Sequence, residues 1–155
     1  MHLASRLVLI LVCMSMGVAG LRSQDRRVIS VGPPPAGPYS PAIAADGFIY
    51  VSGMLGAAPE SADVRAQTRR IIEQMSQTLQ AAGSSLAQVV NVQVYLKRAE
   101  DAAAFDEVYR MAFATAPPAR TIVVTGVPND ALVEVSAIAV ASGTAVGARH
   151  IARTA

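Results

Sequence analysis

The chain has 155 residues, of which 52% are hydrophobic and 15% are charged, so it is long enough for one compact domain and too apolar to be disordered. Its formal net charge of +2 gives no argument for nucleic-acid binding. A single cysteine excludes an internal disulfide, and two histidines are a poor basis for a metal centre or a histidine-dependent catalytic triad.

The first 20 residues have the pattern of a secretory signal peptide. Arg6 precedes the apolar run LVLILVCMSMGVAG, whose last three residues are small enough for a signal peptidase. Cleavage there would remove the cysteine and one arginine, leaving 12 basic against 11 acidic side chains, a net charge of +1. We therefore expect a periplasmic or secreted protein with no membrane association after cleavage. If translation instead starts at Met14 or Met16, the protein is cytoplasmic.

Residues 21–36 form a proline-rich lead-in, residues 37–142 a folded domain, and residues 143–155 a flexible C-terminal tail in this interpretation. Inside the domain, Asp46-Gly47 between two apolar runs predicts a β-hairpin, and Gly83 is suited to end a helix in a left-handed conformation. The predicted elements are strands near Ala42–Ala45 and Phe48–Ser52, a helix from about Asp63 to Ala82, a strand over Val90–Leu96, a helix from about Ala102 to Ala112 with Asp101 as its N-cap, and strands near Thr121–Thr125 and Leu132–Ala141 joined by the turn VPND.

This order, ββαβαββ, predicts an α+β fold with two helices on one face of the sheet. The last strand is apolar on both faces, with Glu134 on the face of Leu132 and Ile138. Since two helices cover only one face, we expect self-association to bury the other. Alternation alone does not tell which of the two faces carries Glu134.

Two charged side chains lie in the otherwise apolar stretch PPARTIVVTGVPNDALVEVSAIAV. Arg120 follows Pro117-Pro118-Ala119 and could present its guanidinium to a carboxylate in a cleft. Glu134 lies in what we interpret as the adjoining strand and could simply be the salt-bridge partner of Arg120. From the residues alone, a structural pair and a binding site both remain open.

The segments GPYSPA, FIYVSG, AAGSSLAQVVNVQVYL, FDEVY, PPART and LVEVSAIAV resemble, in this order, successive blocks of the Rid/YjgF reactive-intermediate deaminase family. The resemblance covers nearly all of the chain between Gly37 and Val140. It implies a chorismate-mutase-like fold that forms a homotrimer with sites at the subunit interfaces. It also implies a 2-iminobutanoate/2-iminopropanoate deaminase-like hydrolase that converts 2-imino or enamine acids to 2-keto acids and ammonia without a cofactor or metal.

The same resemblance assigns roles to individual residues. Arg120 corresponds to the arginine that holds the substrate carboxylate, and Glu134 to the glutamate that positions the attacking water. Tyr39, Ser52 and Gly53 correspond to residues that line the pocket. Without the resemblance, Tyr39 would be interpreted as a buried phenol packed against prolines, and Ser52-Gly53 as a turn that ends a strand.

Three positions depart from the family pattern. Met54 replaces a usual glutamine, Ile122 stands where some members have cysteine, and Asp106 replaces a usual asparagine. If Asp106 faces the pocket, it adds substrate-binding contacts but repels an anionic substrate. If it does not, it is a second acidic residue near a helix N-terminus.

Other functions fit the same residues less well. A non-catalytic periplasmic binder of small carboxylates would keep Arg120 without turnover. An exported chorismate mutase should need several cations for a dicarboxylate, and this segment offers only Arg120. A ribonuclease would need a histidine or a basic stripe, and the sequence between the predicted signal peptide and tail has neither.

Overall fold

The computed structural model describes residues 26–56 and 63–142. The predicted signal peptide and C-terminal tail lie outside these residues. Among the residues described, no helix combines the length and hydrophobicity needed to cross a membrane. The strands are β1 (Arg27–Ile29), β2 (Ala42–Ala45), β3 (Phe48–Leu55), β4 (Val89–Leu96), β5 (Ala119–Val124) and β6 (Val133–Val140), and the helices are α1 (Val64–Ala81) and α2 (Ala102–Ala112).

The six strands form one mixed sheet in the order β1-β2-β3-β6-β4-β5. All neighbours are antiparallel except β4 and β5, which are parallel because α2 connects them and returns the chain to the same end of the sheet. The predicted α+β class is therefore confirmed. The structure adds β1, which the sequence analysis had placed in the lead-in.

Helix α1 begins and ends as its sequence predicts. Asp63 is the N-cap, and its Oδ1 accepts a hydrogen bond from the Arg65 backbone N at 3.2 Å. At the other end Gly83 has φ +81°, a conformation that a side chain would strain. Ile71, Met75 and Leu79 are fully buried, so this stripe of α1 packs against the sheet.

The two helices cover one face of the sheet. In β6, Val133, Val135, Ala137 and Ala139 are buried in the same core cluster as the apolar side chains of α1 and α2. Glu134 and its alternating neighbours therefore lie on the opposite face, which answers the question that alternation left open. We call this uncovered surface the open face; its apolar members from neighbouring strands are Val28, Ile43, Phe48, Tyr50, Tyr95, Val123, Ile138 and Val140.

Two details differ from the sequence-based prediction. Strand β4 begins at Val89, one residue before the predicted Val90; a bulge between Val89 and Asn91 turns Val90 outward, and Val89 is buried. Asp101 is the N-cap residue of α2, as predicted, but its side chain caps no backbone N–H because Arg98 binds the carboxylate. A short 3₁₀ turn leads into the helix. The charge of Arg98 offers this nearly buried carboxylate a stronger partner than the helix amides.

Candidate functional site

Arg120 projects from edge strand β5 toward the helix side of the sheet. It pairs in register with Val92, whose side chain is completely buried beneath the helices. Its Nη1 donates a hydrogen bond to Asp106 Oδ1 on α2 at 2.7 Å. The guanidinium carbon also lies 4.6 Å from the ring centroid of Tyr109 and 5.7 Å from that of Phe105. An ion pair and two aromatic rings thus hold the guanidinium in a single orientation.

The side chains around the guanidinium differ in how far they are buried. The side chains of Arg120 and Asp106 are 25% and 36% exposed, so both charges still meet solvent. The hydroxyl of Tyr109 is buried and, among the residues described, has no hydrogen-bond partner. Burial raises the pKa of Tyr109; the charge of Arg120 opposes this effect and that of Asp106 adds to it. The phenol therefore stays protonated and neutral beside the guanidinium.

An open cleft of about 440 Å³ lies over this group, between α2 and the loop that leads into β5. Both walls combine charged and apolar side chains, as in many small-molecule sites. The lining residues are Asp106, Tyr109, Arg110, Phe113, Ala114, Pro117, Pro118 and Arg120.

Glu134 belongs to a second cluster on the other side of the sheet. Its carboxylate lies directly against the Cα of Gly53, where any side chain would collide with it. Gly53 is part of a bulge in β3, where the register to β6 shifts between Val51 and Met54. The alternative interpretation of Ser52-Gly53 as a turn that ends a strand is therefore wrong, because β3 continues through these residues to Leu55.

Ser52 connects this cluster to the segment that carries Tyr39. The Ser52 hydroxyl donates to the Ser40 carbonyl at 2.7 Å, and the Ser52 amide donates to the Pro41 carbonyl at 3.0 Å. The Tyr39 side chain is not the buried phenol of the alternative interpretation, since the residue is 54% exposed. Four predicted site residues, Tyr39, Ser52, Gly53 and Glu134, are thus joined through β3.

The two clusters do not meet within one copy of the chain. Strand β4 separates β5 from β6, so the interpretation of the Glu134 strand as adjoining that of Arg120 is wrong. Glu134 pairs across strands with Tyr95 on the open face, whereas Arg120 points to the helix side. A salt bridge between Arg120 and Glu134 within one copy of the chain is therefore also ruled out, and Asp106 is the partner of Arg120 there.

The family-variant positions now have structural explanations. Met54 pairs with Val135 and packs against the core. Ile122 pairs with Val94 of β4 and also packs against the core, so neither side chain lines the cleft. Asp106 does line it, paired with Arg120. The sequence analysis did not single out Phe105 and Tyr109 as site residues; their spacing of one helical turn next to Asp106 was the available signal for an aromatic support of Arg120.

No cluster of metal-ligating side chains occurs within residues 26–56 and 63–142. The side chains of the two clusters can offer carboxylate recognition by an arginine and proton transfer by a glutamate.

The contact between Gly53 and Glu134 gives a first prediction. Gly53→Ala should leave the fold nearly unchanged, because the atom it displaces is the end of a flexible side chain, but it should move the Glu134 carboxylate. We expect loss of any activity that depends on Glu134, with an unchanged thermal midpoint. Gly126→Ala is the matched control, since a Cβ there meets open space. Equal activity of the two variants would show that the position of the carboxylate does not matter.

The chain is similar to known proteins over most of the residues that the structure describes. The sequence profile of a family described as Endoribonuclease L-PSP matches residues 30–141. A RutC family protein from Pyrococcus abyssi is 44% identical over 113 residues, which are 69% of this chain and 89% of that protein. The 3-aminoacrylate deaminase RutC of Acinetobacter baylyi is 38% identical over 113 residues, or 69% and 90% of the two chains.

A 2-iminobutanoate/2-iminopropanoate deaminase from Capra hircus is 37% identical over 128 residues, which are 77% of this chain and 93% of that protein. Among solved structures, RidA from an Antarctic Psychrobacter superimposes with a TM-score of 0.68 at 31% identity. That match covers 74% of this chain and 98% of RidA.

Proposed function

Because the chain belongs to the Rid/YjgF family, whose profile is described as endoribonuclease L-PSP, we propose that it hydrolyses 2-imino or enamine acids to 2-keto acids and ammonia. The names of the two deaminases among its relatives support reactive-intermediate deamination at the level of the family. The ribonuclease in the family description has less support here, since the two histidines of the sequence lie at positions 2 and 150, outside the matched region.

The observation that carries the proposal is the fixed guanidinium of Arg120 in an open cleft. A 2-imino acid has a carboxylate next to its reactive carbon. A planar guanidinium can bind that carboxylate through two parallel hydrogen bonds, which also orients the C=N bond. Because the ion pair and the aromatic rings already hold Arg120, little side-chain entropy is lost when the substrate binds.

The remaining step is addition of water to the protonated imine. Glu134 accepts a proton from the water while the water oxygen bonds to the imine carbon. The C=N π electrons move to the nitrogen in the same step. Glu134 passes this proton to the nitrogen of the tetrahedral intermediate. The C–N bond then breaks, its electron pair leaves with ammonia, and the hydroxyl oxygen gives its proton to the Glu134 carboxylate as it becomes the keto-acid carbonyl. Ammonia takes that proton as ammonium, which restores the carboxylate. No electron is gained or lost, so no cofactor is required. A general base of this kind contributes about 10²–10⁴-fold in rate.

Arg120 and Glu134 lie on opposite faces of one sheet, so the complete site requires a second copy of the chain. We propose a homotrimer in which the open face of one subunit covers the cleft of the next, and so brings Glu134 to the neighbouring Arg120. The half-exposed apolar side chains of the open face support such an assembly, because a lone subunit would leave them in water.

One experiment tests the enzyme and its assembly together. A 2-imino acid generated by an amino-acid oxidase is mixed with protein lacking residues 1–20, and keto-acid release is followed against the uncatalysed rate while light scattering gives the mass. We expect acceleration by a trimer. A folded, stable monomer at micromolar concentration would contradict the shared site. A trimer that binds small carboxylates without accelerating release would instead be the non-catalytic binder.

We further propose that the protein is exported, since the apolar segment before residue 21 has the signal-peptide pattern. Its substrate would then come from an exported source of imines such as an amino-acid oxidase. N-terminal sequencing of the protein from fractionated cells checks this: an unprocessed chain in the cytoplasm would contradict export.

A further inference from the structure

We propose that the cleft is built for a zwitterion, with Arg120 holding the carboxylate and Asp106 holding a protonated nitrogen on the adjacent carbon. The inference rests on the proposed function, because it specifies the charge state in which that substrate is recognised. It also predicts a wider ligand class, namely α-amino acids, which likewise have a carboxylate and a protonated nitrogen on the adjacent carbon.

The ion pair leaves hydrogen-bonding capacity on both partners. Only Nη1 of Arg120 and Oδ1 of Asp106 take part in their contact. In the part of the chain that the structure describes, Nε and Nη2 of Arg120 and Oδ2 of Asp106 form no further hydrogen bond. Both residues line the same cleft and both side chains are partly exposed. A ligand can therefore reach a cationic donor and an anionic acceptor that lie side by side.

Charge complementarity favours a ligand with both signs. A purely anionic ligand gains the attraction of Arg120 but meets the carboxylate of Asp106 next to it. A ligand with a cationic nitrogen one carbon away replaces that repulsion with a second attraction. Among the cleft residues of one subunit, Asp106 is the single acid, beside Arg110 and Arg120. In the proposed trimer the glutamate at position 134 of the neighbouring copy is assigned to the attacking water, which leaves Asp106 as the position that can hold the cationic nitrogen.

This arrangement agrees with the chemistry of the substrate. The imine carbon is electrophilic when its nitrogen is protonated, and a 2-imino acid in that state is a zwitterion. A carboxylate beside the nitrogen favours the protonated form in the site. An asparagine at position 106 would offer an acceptor without the charge, so the aspartate should sharpen the preference for the cationic nitrogen.

Calorimetry with three ligands of equal size tests this: 2-aminobutanoate, 2-oxobutanoate and 2-hydroxybutanoate. The assembled wild-type protein should bind the amino acid more tightly than the other two. Asp106→Asn should weaken amino-acid binding about tenfold, since one charge-assisted contact is lost, and should strengthen keto-acid binding. Asparagine still accepts a hydrogen bond from Arg120, so the variant should fold.

Glu107→Gln is the matched control, because it removes the same charge one residue along α2, where Glu107 binds Arg65 instead of lining the cleft. It should leave all three affinities unchanged. The inference is overturned if wild-type protein shows no preference for the amino acid, including no binding of it at millimolar concentration, or if Asp106→Asn changes amino-acid and keto-acid affinity in the same direction. Zwitterion preference without imine turnover would overturn the deaminase alone, and turnover without that preference would overturn only this inference.

Discussion

Replacing Glu134 with glutamine is expected to lower kcat for imine hydrolysis by about 10²–10⁴-fold while KM stays nearly constant. The amide keeps the size of the side chain and its place against Gly53, but it cannot take the proton of the attacking water. In the proposed site the substrate carboxylate is bound by Arg120, on the other side of the sheet, so its binding should not change. Steady-state kinetics on the assembled protein give both parameters.

Glu100→Gln is a suitable control for the loss of one acidic charge, since Glu100 is exposed and contacts Arg98 only at 3.8 Å. It should retain full activity. If Glu134→Gln raises KM and leaves kcat unchanged, the glutamate binds substrate instead of activating water. If both variants keep full turnover, Glu134 has no part in the chemistry.

Arg120→Ala should lower kcat/KM by about 10²-fold or more, mainly through KM, because the carboxylate loses its partner and the reactive carbon its orientation. Arg120→Lys should recover little of this. Lysine keeps the charge but has neither the two parallel donors nor the planar group that lies over the ring of Tyr109.

The stability of the same variants separates binding from folding. Removing Arg120 leaves the partly exposed carboxylate of Asp106 unpaired, so we expect the free energy of unfolding to fall by about 1 kcal/mol. Arg65→Ala provides the comparison, because Arg65 donates to Glu107 at the same 2.7 Å on an exposed surface. Thermal midpoints and kinetics are measured for both variants. If Arg120→Ala and Arg65→Ala lower the midpoint equally and Arg120→Ala keeps the wild-type turnover per folded protein, Arg120 is a structural residue.

The sequence predicts the helices well because residues typical of helix ends mark them: Asp63 and Gly83 for α1, and Asp101 for α2. Helix α2 spans the predicted Ala102–Ala112, and its apolar residues are those that helical spacing selects. Strand β1 was missed for the opposite reason. Three residues with one buried side chain have too short a pattern to distinguish a strand from a loop.

The relation between Arg120 and Glu134 could not be obtained from adjacency in sequence. Consecutive strands are usually neighbours, and that assumption placed β5 beside β6. A strand, a helix and a further strand are also the pattern of parallel neighbours, which is how β4, α2 and β5 are arranged. Once β5 is paired with β4, the register puts Arg120 opposite Val92, and the side of the sheet follows from the burial of that valine.

The bulge at Ser52-Gly53 makes the length of β3 as important as its composition. Before it, Val51 faces the helices; after it, the extra residue lets Met54 face them again and leaves Leu55 opposite Glu134. Deleting one residue here would exchange the inward and outward positions of everything that follows in the strand. Homologous proteins should therefore tolerate gaps in their loops but none at these two positions, and a relative with a gap here would have lost the space that accommodates the carboxylate at the position of Glu134.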